Sequence, residues 1–294
     1  MIDLVVATLL AATPLLLAAL GGLCSERGGV VNIGLEGMIL TGAFFATATT
    51  LLTGSPVLGL LGGTAAGAVL GLVHGYVSMR LRVDQVVSGV AINLLASAGT
   101  LLCLKTFYGS KGSSPQLPEG ALGSIGPFSP ITLLAVLAVP LVFLAVYRTK
   151  WGLRLRACGE NPEAADAVGI DVFRTRLSGV VVSGALSGLG GVILAFTAGS
   201  FVKEMSAGRG FIALAAVVFG RWRPIPTAIG CLIFASGQAV TNTLELGFKS
   251  SSLEHLMPGL PYVLTLLVLA ARPLLFRGRR TGPPAAVGRN FVRD

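Results

Sequence analysis

Apolar runs long enough to cross a bilayer recur along this chain, parted by short polar breaks. A span needs about 20 apolar residues to cover roughly 30 Å of hydrocarbon. Inside hydrocarbon every backbone N–H and C=O must find its partner within the protein, which for runs of this length leaves the α-helix. The candidate spans are Leu4 to Leu20, Gly28 to Leu52, Val57 to Met79, Val86 to Phe107, Pro130 to Tyr147, Leu177 to Ala198, the short Gly210 to Gly220, Thr227 to Leu244 and Leu260 to Phe276. Met1-Ile2-Asp3 lacks a basic leader region, so the first run is expected to stay as a span. The fold expected is an all-α integral membrane protein with about 8–10 transmembrane helices. Residues 1–277 form its transmembrane domain, and 278–294 a basic, disordered tail carrying Pro283-Pro284.

Charge gives the orientation. Only 12% of residues are charged, yet the net charge is +9. Arg80 and Arg82, the stretch from Arg148 to Arg176, Arg221 with Arg223, and Arg277 to Arg280 fall on one side if the short run crosses. The opposite loops pair cations with acids: Lys111 with Glu119, Lys203 with Glu204, Lys249 with Glu254. The cation-rich side is expected to be cytoplasmic, with the N-terminus outside and the C-terminus inside. Basic residues placed between spans read as topology, so no nucleic-acid partner is expected. Cys24, Cys103, Cys158 and Cys231 are scattered, form no CxxC pair, and suggest neither a metal site nor disulfides.

The 40 glycines suit a membrane interior, where small residues let helices approach closely. Gly59, Gly63, Gly67, Gly71 and Gly75 recur every four residues, and Gly184, Gly188 and Gly190-Gly191 lie on another span. Both sets read as helix-packing faces.

Glu36 stands alone in the second apolar run. If the helix enters at Gly28, eight residues at 1.5 Å each put the carboxylate roughly 12 Å deep. An ionised acid there costs about 3 kcal/mol, so it must meet a wet cavity, an unwound backbone or a helix start to cap. Gly28-Gly29, Gly34 and Gly37 predict that this second helix is discontinuous, and interrupted helices in transporters can turn free backbone groups toward solute. Asn32 would share the face of Glu36 if the piece were helical. Gly208 to Gly220 is the matching Gly-flanked segment of the second half. Asn93, and the stripe Gln238, Thr241 and Asn242 at i, i+3, i+4, add amides and hydroxyls without fixed charge. Either they bridge helices or, with Asn32 and Glu36, they line a path for a neutral, hydroxyl-rich solute.

The largest polar island is residues 151–172. Asn161 is a favoured N-cap, Pro162 suits the first helical position, and Glu163 suits the positive end of the helix dipole. Ala164, Ala165 and Ala167 propagate a helix, and Gly169 ends it. Two turns, about 10 Å of rod, are too short to stand alone. The element reads as a small cytoplasmic handle for another protein.

GENPEAADAVGID, with RTRLSGVVVSGALSGLGGVILA after it, resembles the coupling loop of permease subunits in bacterial ABC importers. ERGGVVNIGLEGMILTGAF, VSGVAINLLA and GRGFIALAAVVFGRWRP extend the likeness over most of residues 26 to 230. The group it resembles is that of the simple-sugar and nucleoside permeases related to ribose and branched-chain amino acid permeases, and NIGLEG looks most like the nucleoside branch. The first span is short, and an extra N-terminal helix usual in the group is not evident. The resemblance implies a multi-pass protein of the bacterial cytoplasmic membrane, with Gly159, Glu160, Asn161, Pro162, Glu163, Ala164, Ala165 and Gly169 at the contact with an ATPase. It implies three partners: that ABC ATPase, a second, related permease subunit forming a mixed pair, and an extracytoplasmic solute-binding protein. ATP and Mg would sit on the ATPase, and this chain would bind no cofactor.

Absences agree with that division of labour. No G-x-x-x-x-G-K-[ST], HExxH or G-x-S-x-G is present, and His74 and His255 have no partners at catalytic spacing. Energy must therefore come from a partner or a gradient. A gradient-driven secondary transporter would be expected to carry more intramembrane acids, and would leave the short capped helix unused. An intramembrane enzyme lacks both nucleophile and metal set.

Overall fold

The computed structural model describes residues 2–118, 130–245 and 282–291, in which ten α-helices and no strand form. They are α1 (Ile2–Arg27), α2 (Leu35–Thr53), α3 (Pro56–Met79), α4 (Gln85–Tyr108), α5 (Pro130–Arg148), α6 (Lys150–Glu160), α7 (Pro162–Ala167), α8 (Val172–Ala198), α9 (Arg209–Phe219) and α10 (Pro224–Glu245). Among the described residues five helices (α1, α2, α3, α4 and α8) are long and apolar enough to cross a membrane. The pair α5 and α6, bent by 71°, makes up to six, and α9 and α10 are shorter apolar helices. The expected crossing at Leu260 to Phe276 and the loop around Glu254 and His255 lie outside the described residues, as do Glu119 and Lys249.

Three boundaries differ from expectation for identifiable reasons. Helix α1 does not break at Ser25-Glu26-Arg27 but runs through it, because these polar groups are satisfied inside the protein. Ser25 Oγ donates to the Val30 carbonyl at 2.7 Å, and Trp222 Nε1 donates to the Glu26 carboxylate. The polar island is two helices rather than a loop with one: Thr149 caps α6 by accepting from Gly152 N at 3.1 Å. Helix α8 starts at Val172 instead of Leu177, since Asp171 caps it by accepting from Arg174 N at 2.9 Å.

Helix α8 is the centre of the bundle, packed on α1, α2 and α3. The glycine ladder explains how closely. A Cβ on Gly67 would stand 2.3 Å from the Gly184 carbonyl oxygen and 2.7 Å from the Gly188 Cα. One on Gly42 of α2 would stand 2.4 Å from the Gly188 carbonyl oxygen. Backbone therefore lies on backbone among α2, α3 and α8, as expected for small-xxx-small faces. Gly67→Ala should separate α3 from α8 and lower the thermal midpoint in detergent by an amount equivalent to about 1–3 kcal/mol. Gly99→Ala on α4, whose Cβ would meet nothing within 4 Å in this chain, is the matched control and should leave the midpoint unchanged.

At one end of the bundle the connection after α4 pairs with the one after α8. Ser114 N donates to the Phe201 carbonyl at 2.9 Å, and Lys203 N to the Gly112 carbonyl at 2.8 Å. At the other end lie Arg27, Arg80, Arg82, the α5–α8 stretch, and Arg221 with Trp222, so these cation clusters share one end, while Arg277 to Arg280 lie outside the described residues. The tail expected to be disordered does not stay free over residues 282–291. It forms a strap on this same end, with Ala286 N donating to the Gly159 carbonyl at 2.9 Å.

Candidate functional site

Two interrupted segments meet inside the bundle, and a side chain beside the first satisfies unpaired backbone of the second. Residues 28–34, ahead of α2, are not helical, which confirms a discontinuous second element. Asn32 and Glu36 therefore do not share a helix face. Glu36 lies in the first turn of α2, and its carboxylate accepts from Gly208 N at 2.7 Å and Gly210 N at 2.6 Å. It caps α9, a helix start whose N–H groups would otherwise be orphaned. Gly210 is required there, since its Cβ would stand 2.4 Å from Glu36 N. The 11 residues of α9 rise about 16 Å, roughly half the hydrocarbon thickness. Its far end lies beside Arg27, so its start and Glu36 stand about halfway through the bundle.

Asn93 does for α2 what Glu36 does for α9. Its Oδ1 accepts from Gly37 N at 2.8 Å and its Nδ2 donates to the Ile33 carbonyl at 3.0 Å. Asn32 is fully buried and donates from Nδ2 to Ser183 Oγ on α8 at 2.9 Å, while its Oδ1 has no partner among the described residues. Val31 is held from both sides: its N–H donates to Gln85 Oε1 at 2.7 Å, and its carbonyl stands 3.0 Å from His74 Nε2. The buried His74 ring also meets Ser88 Oγ at 3.0 Å through Nδ1. The interrupted segment thus does not turn all its backbone groups toward a path, because many are already bonded to side chains, as irregular backbone at membrane depth requires. Glu36 and Asn93 are themselves committed to that backbone, and Asn32 Oδ1, in a fully buried residue, is the polar atom of this trio without a partner among the described residues.

The loop leading into α9 carries a second acid. Ser97 Oγ on α4 donates to the Glu204 carboxylate. Glu204 and Ala207 both have positive φ (55° and 46°), and strained backbone of this kind concentrates where a segment is positioned for a task. Gln238 does not join the group: it is half-buried on α10, whose main neighbours are α1, α5 and α9. The side chains of Thr241 and Asn242 fall outside the described residues. Among the described residues no group of three or more His, Cys, Asp or Glu could hold a metal ion.

The other cluster is the cationic end. Asn161 caps α7 as its sequence predicts, with Oδ1 accepting from Ala164 N at 2.9 Å. Gly169 follows the helix at φ +82°, a conformation suited to glycine. Pro162 and Ala165 are buried, and Ala165 forms a small core with Cys158 and Val172. Asn161, Glu163, Ala164, Val168 and Gly169 are exposed, so α7 rests on one face and offers the other. Gly159 is buried against Arg27, whose carbonyl oxygen would lie 2.1 Å from an added Cβ, and Glu160 is exposed. A mixed-charge cleft of about 340 Å³ opens beside α7, lined by Arg80, Arg82, Asp166, Asp171, Phe173 and Phe291.

Arg27, in sequence part of a polar break after the first apolar run, ties this end together. Its Nε donates to the Trp222 carbonyl at 2.7 Å, its Nη2 to Tyr147 Oη at 3.1 Å, and its Nη1 stands 3.9 Å from the Glu160 carboxylate. Helices α1, α5 and α6 and the α9–α10 turn thus share one guanidinium. The signal was present in Glu26-Arg27 at the end of an apolar helix, but its partners are 120 to 195 residues away.

The family model described as the permease component of the branched-chain amino acid transport system matches residues 4–269. The guanosine ABC transporter permease protein NupQ of Bacillus subtilis is 41% identical, with 96% of this chain and 94% of that protein covered. The nucleoside ABC transporter permease protein NupC of Lactococcus lactis is 37% identical, with 100% and 98% covered. TsgC13 of Haloferax volcanii, an ABC transporter permease provisionally assigned to glucose, is 34% identical over 98% of this chain and 97% of its own length.

Proposed function

This chain belongs to the family of branched-chain amino acid transport permease components, and from that premise we propose that it is the membrane-spanning permease of a bacterial ABC importer for a nucleoside. The observation that carries the reading is α7, a two-turn helix buried on one face, exposed on the other, and bonded into the end of the bundle where the cations gather. A cytosolic ATPase holding the Glu160 to Gly169 surface would supply the energy, with ATP and Mg bound in that subunit and no cofactor in this one. A gradient-driven transporter would have no use for such a handle.

The cationic end then faces the cytoplasm, the N-terminus starts outside, and the loops around Ser114 and Phe201 face the solute-binding protein. A second, related permease completes the pathway. Glu36 and Asn93 line it at half depth, with Asn32 buried behind them, and hydrogen-bonding groups with little fixed charge suit the hydroxyls and base edges of a nucleoside. Gln238 and Asn242 on α10 are assigned a secondary place in that pathway.

The test is a pull-down of the tagged chain from its own membranes, followed by uptake in liposomes. Recovery of an ATPase and a second permease, with MgATP-dependent uptake of labelled guanosine that unlabelled glucose does not inhibit, is the expected result. Recovery of this chain alone with gradient-driven uptake would overturn the importer reading, and inhibition by glucose would overturn the nucleoside one.

A further inference from the structure

The strap at residues 282–291 joins three parts of the molecule that the importer reading requires to move together. Ala286 N donates to the Gly159 carbonyl at 2.9 Å, and Ala285 N to the Glu160 carboxylate at 3.3 Å, both at the α6–α7 turn. Two residues on, Gly288 N donates to the Gly29 carbonyl at 3.0 Å, in the interrupted segment ahead of α2. Asn290 Oδ1 accepts from Gln85 Nε2 at 3.3 Å, and the same Gln85 holds Val31. Phe291 packs against the small core formed by Cys158, Ala165 and Val172, directly beneath α7.

Arg176, in the second turn of α8, completes the joint. It is 1% exposed, an unusual burial for a guanidinium; both Nη groups are met by carbonyls, while Nε has no partner among the described residues. Its Nη2 donates to Cys158 O at 2.8 Å and its Nη1 to Arg289 O at 2.9 Å. Gly29, at φ +92°, is the residue that lets it in, since a Cβ there would stand 2.8 Å from Nη2. One buried cation thus binds the end of α6 and the strap, and lies against Gly29 of the interrupted segment.

We propose that the strap, locked by Arg176, is a transmission element that carries displacement of α7 to residues 28–34 and so to the half-depth site at Asn32, Glu36 and Asn93. The inference deepens the importer reading and rests on it. Gly159 and Leu155 of α6 pack directly on Arg27 and Gly28, whereas the hydrogen bonds that link the α6–α7 turn to the interrupted segment run through the strap, from Gly159 by way of Ala286 and Gly288 to Gly29. Ala286→Pro removes the donor to the Gly159 carbonyl, the α6 end of that link, without altering any residue of the solute path or of α7. Ala286→Gly keeps the N–H and serves as its control.

Both variants are made in the whole complex purified through this chain, and guanosine uptake and ATP hydrolysis are measured together in liposomes. The expected result for Ala286→Pro is guanosine uptake per ATP hydrolysed lower by about fivefold or more, with Ala286→Gly near the unaltered protein. Deletion of residues 282–294 should reproduce the loss with the ATPase still bound. Unchanged uptake per ATP in Ala286→Pro would overturn the proposal, as would an ATPase lost from the complex in both altered proteins, which would make the strap an assembly element only. Failure of the unaltered chain to bring down any ATPase would sink the importer reading itself, and is seen before any variant is compared.

Discussion

Replacing Glu36 by alanine is expected to reduce ATP-dependent uptake by about tenfold or more while the yield of folded protein changes by less than about twofold. The substitution strips two N–H groups, those of Gly208 and Gly210, of the carboxylate that accepts from both. A buried donor left unpaired costs about 1–3 kcal/mol, and two such donors exceed the roughly 1.4 kcal/mol that a tenfold change represents. The loss falls on the start of α9, which elsewhere is held by packing on α1, α2 and α10, so the bundle persists with that start loosened. Glu36→Gln keeps an acceptor oxygen for one N–H but turns an amide donor toward the other, and should lie between. Uptake per assembled complex and the thermal midpoint of the purified protein are the paired measurements. A proportional fall in uptake and folded yield would make Glu36 a scaffold residue only.

The second large effect separates neighbouring alanines. Ala164→Asp places a carboxylate on the exposed face of α7, and Ala165→Asp places it in the core with Cys158 and Val172. The first should leave the midpoint of the isolated chain within about 0.5 kcal/mol of its original stability, as surface substitutions do, yet remove ATPase binding. The second buries an unpaired charge and should cost several kcal/mol, seen as loss of folded chain from the membrane. Normal uptake by Ala164→Asp would remove α7 from the coupling role.

How much of this was written in the sequence depends on the range of the interaction. The long helices were legible because hydropathy is local, and α7 was legible down to its cap because Asn161, Pro162 and Gly169 act within one or two turns. Glu36 was conspicuous as a lone acid in an apolar run, but its partners lie 172 and 174 residues away, so its cap on α9 could be suspected and not located. Asn32 was paired with the wrong neighbour because the i, i+4 rule presumes a helix that the glycines at 28, 29 and 34 help to break. The strap was missed for a different reason. Gly, Pro and Arg composition signals little apolar burial, yet this segment is held largely through its own backbone N–H groups, which any sequence but proline possesses.

The glycine seam between α3 and α8 has a mechanical consequence. Side chains that interdigitate can change rotamer and let two helices creep, but here carbonyl oxygens and Cα atoms are what touch. Sliding α3 by one, two or three positions would bring Ala66, Ala65 or Thr64 to the place of Gly67 and drive a Cβ into the Gly184 carbonyl. Only a four-residue step, about 6 Å, would bring Gly63 there. The seam therefore behaves as a toothed rack with one coarse pitch, too coarse for the small adjustments of a working cycle, and α2, α3 and α8 travel as a single solid. Where α2 and α3 face α4 the fit is looser, for Phe44, Phe45, Leu95 and Cys103 bound an apolar cleft of about 170 Å³ that has no counterpart in the seam itself.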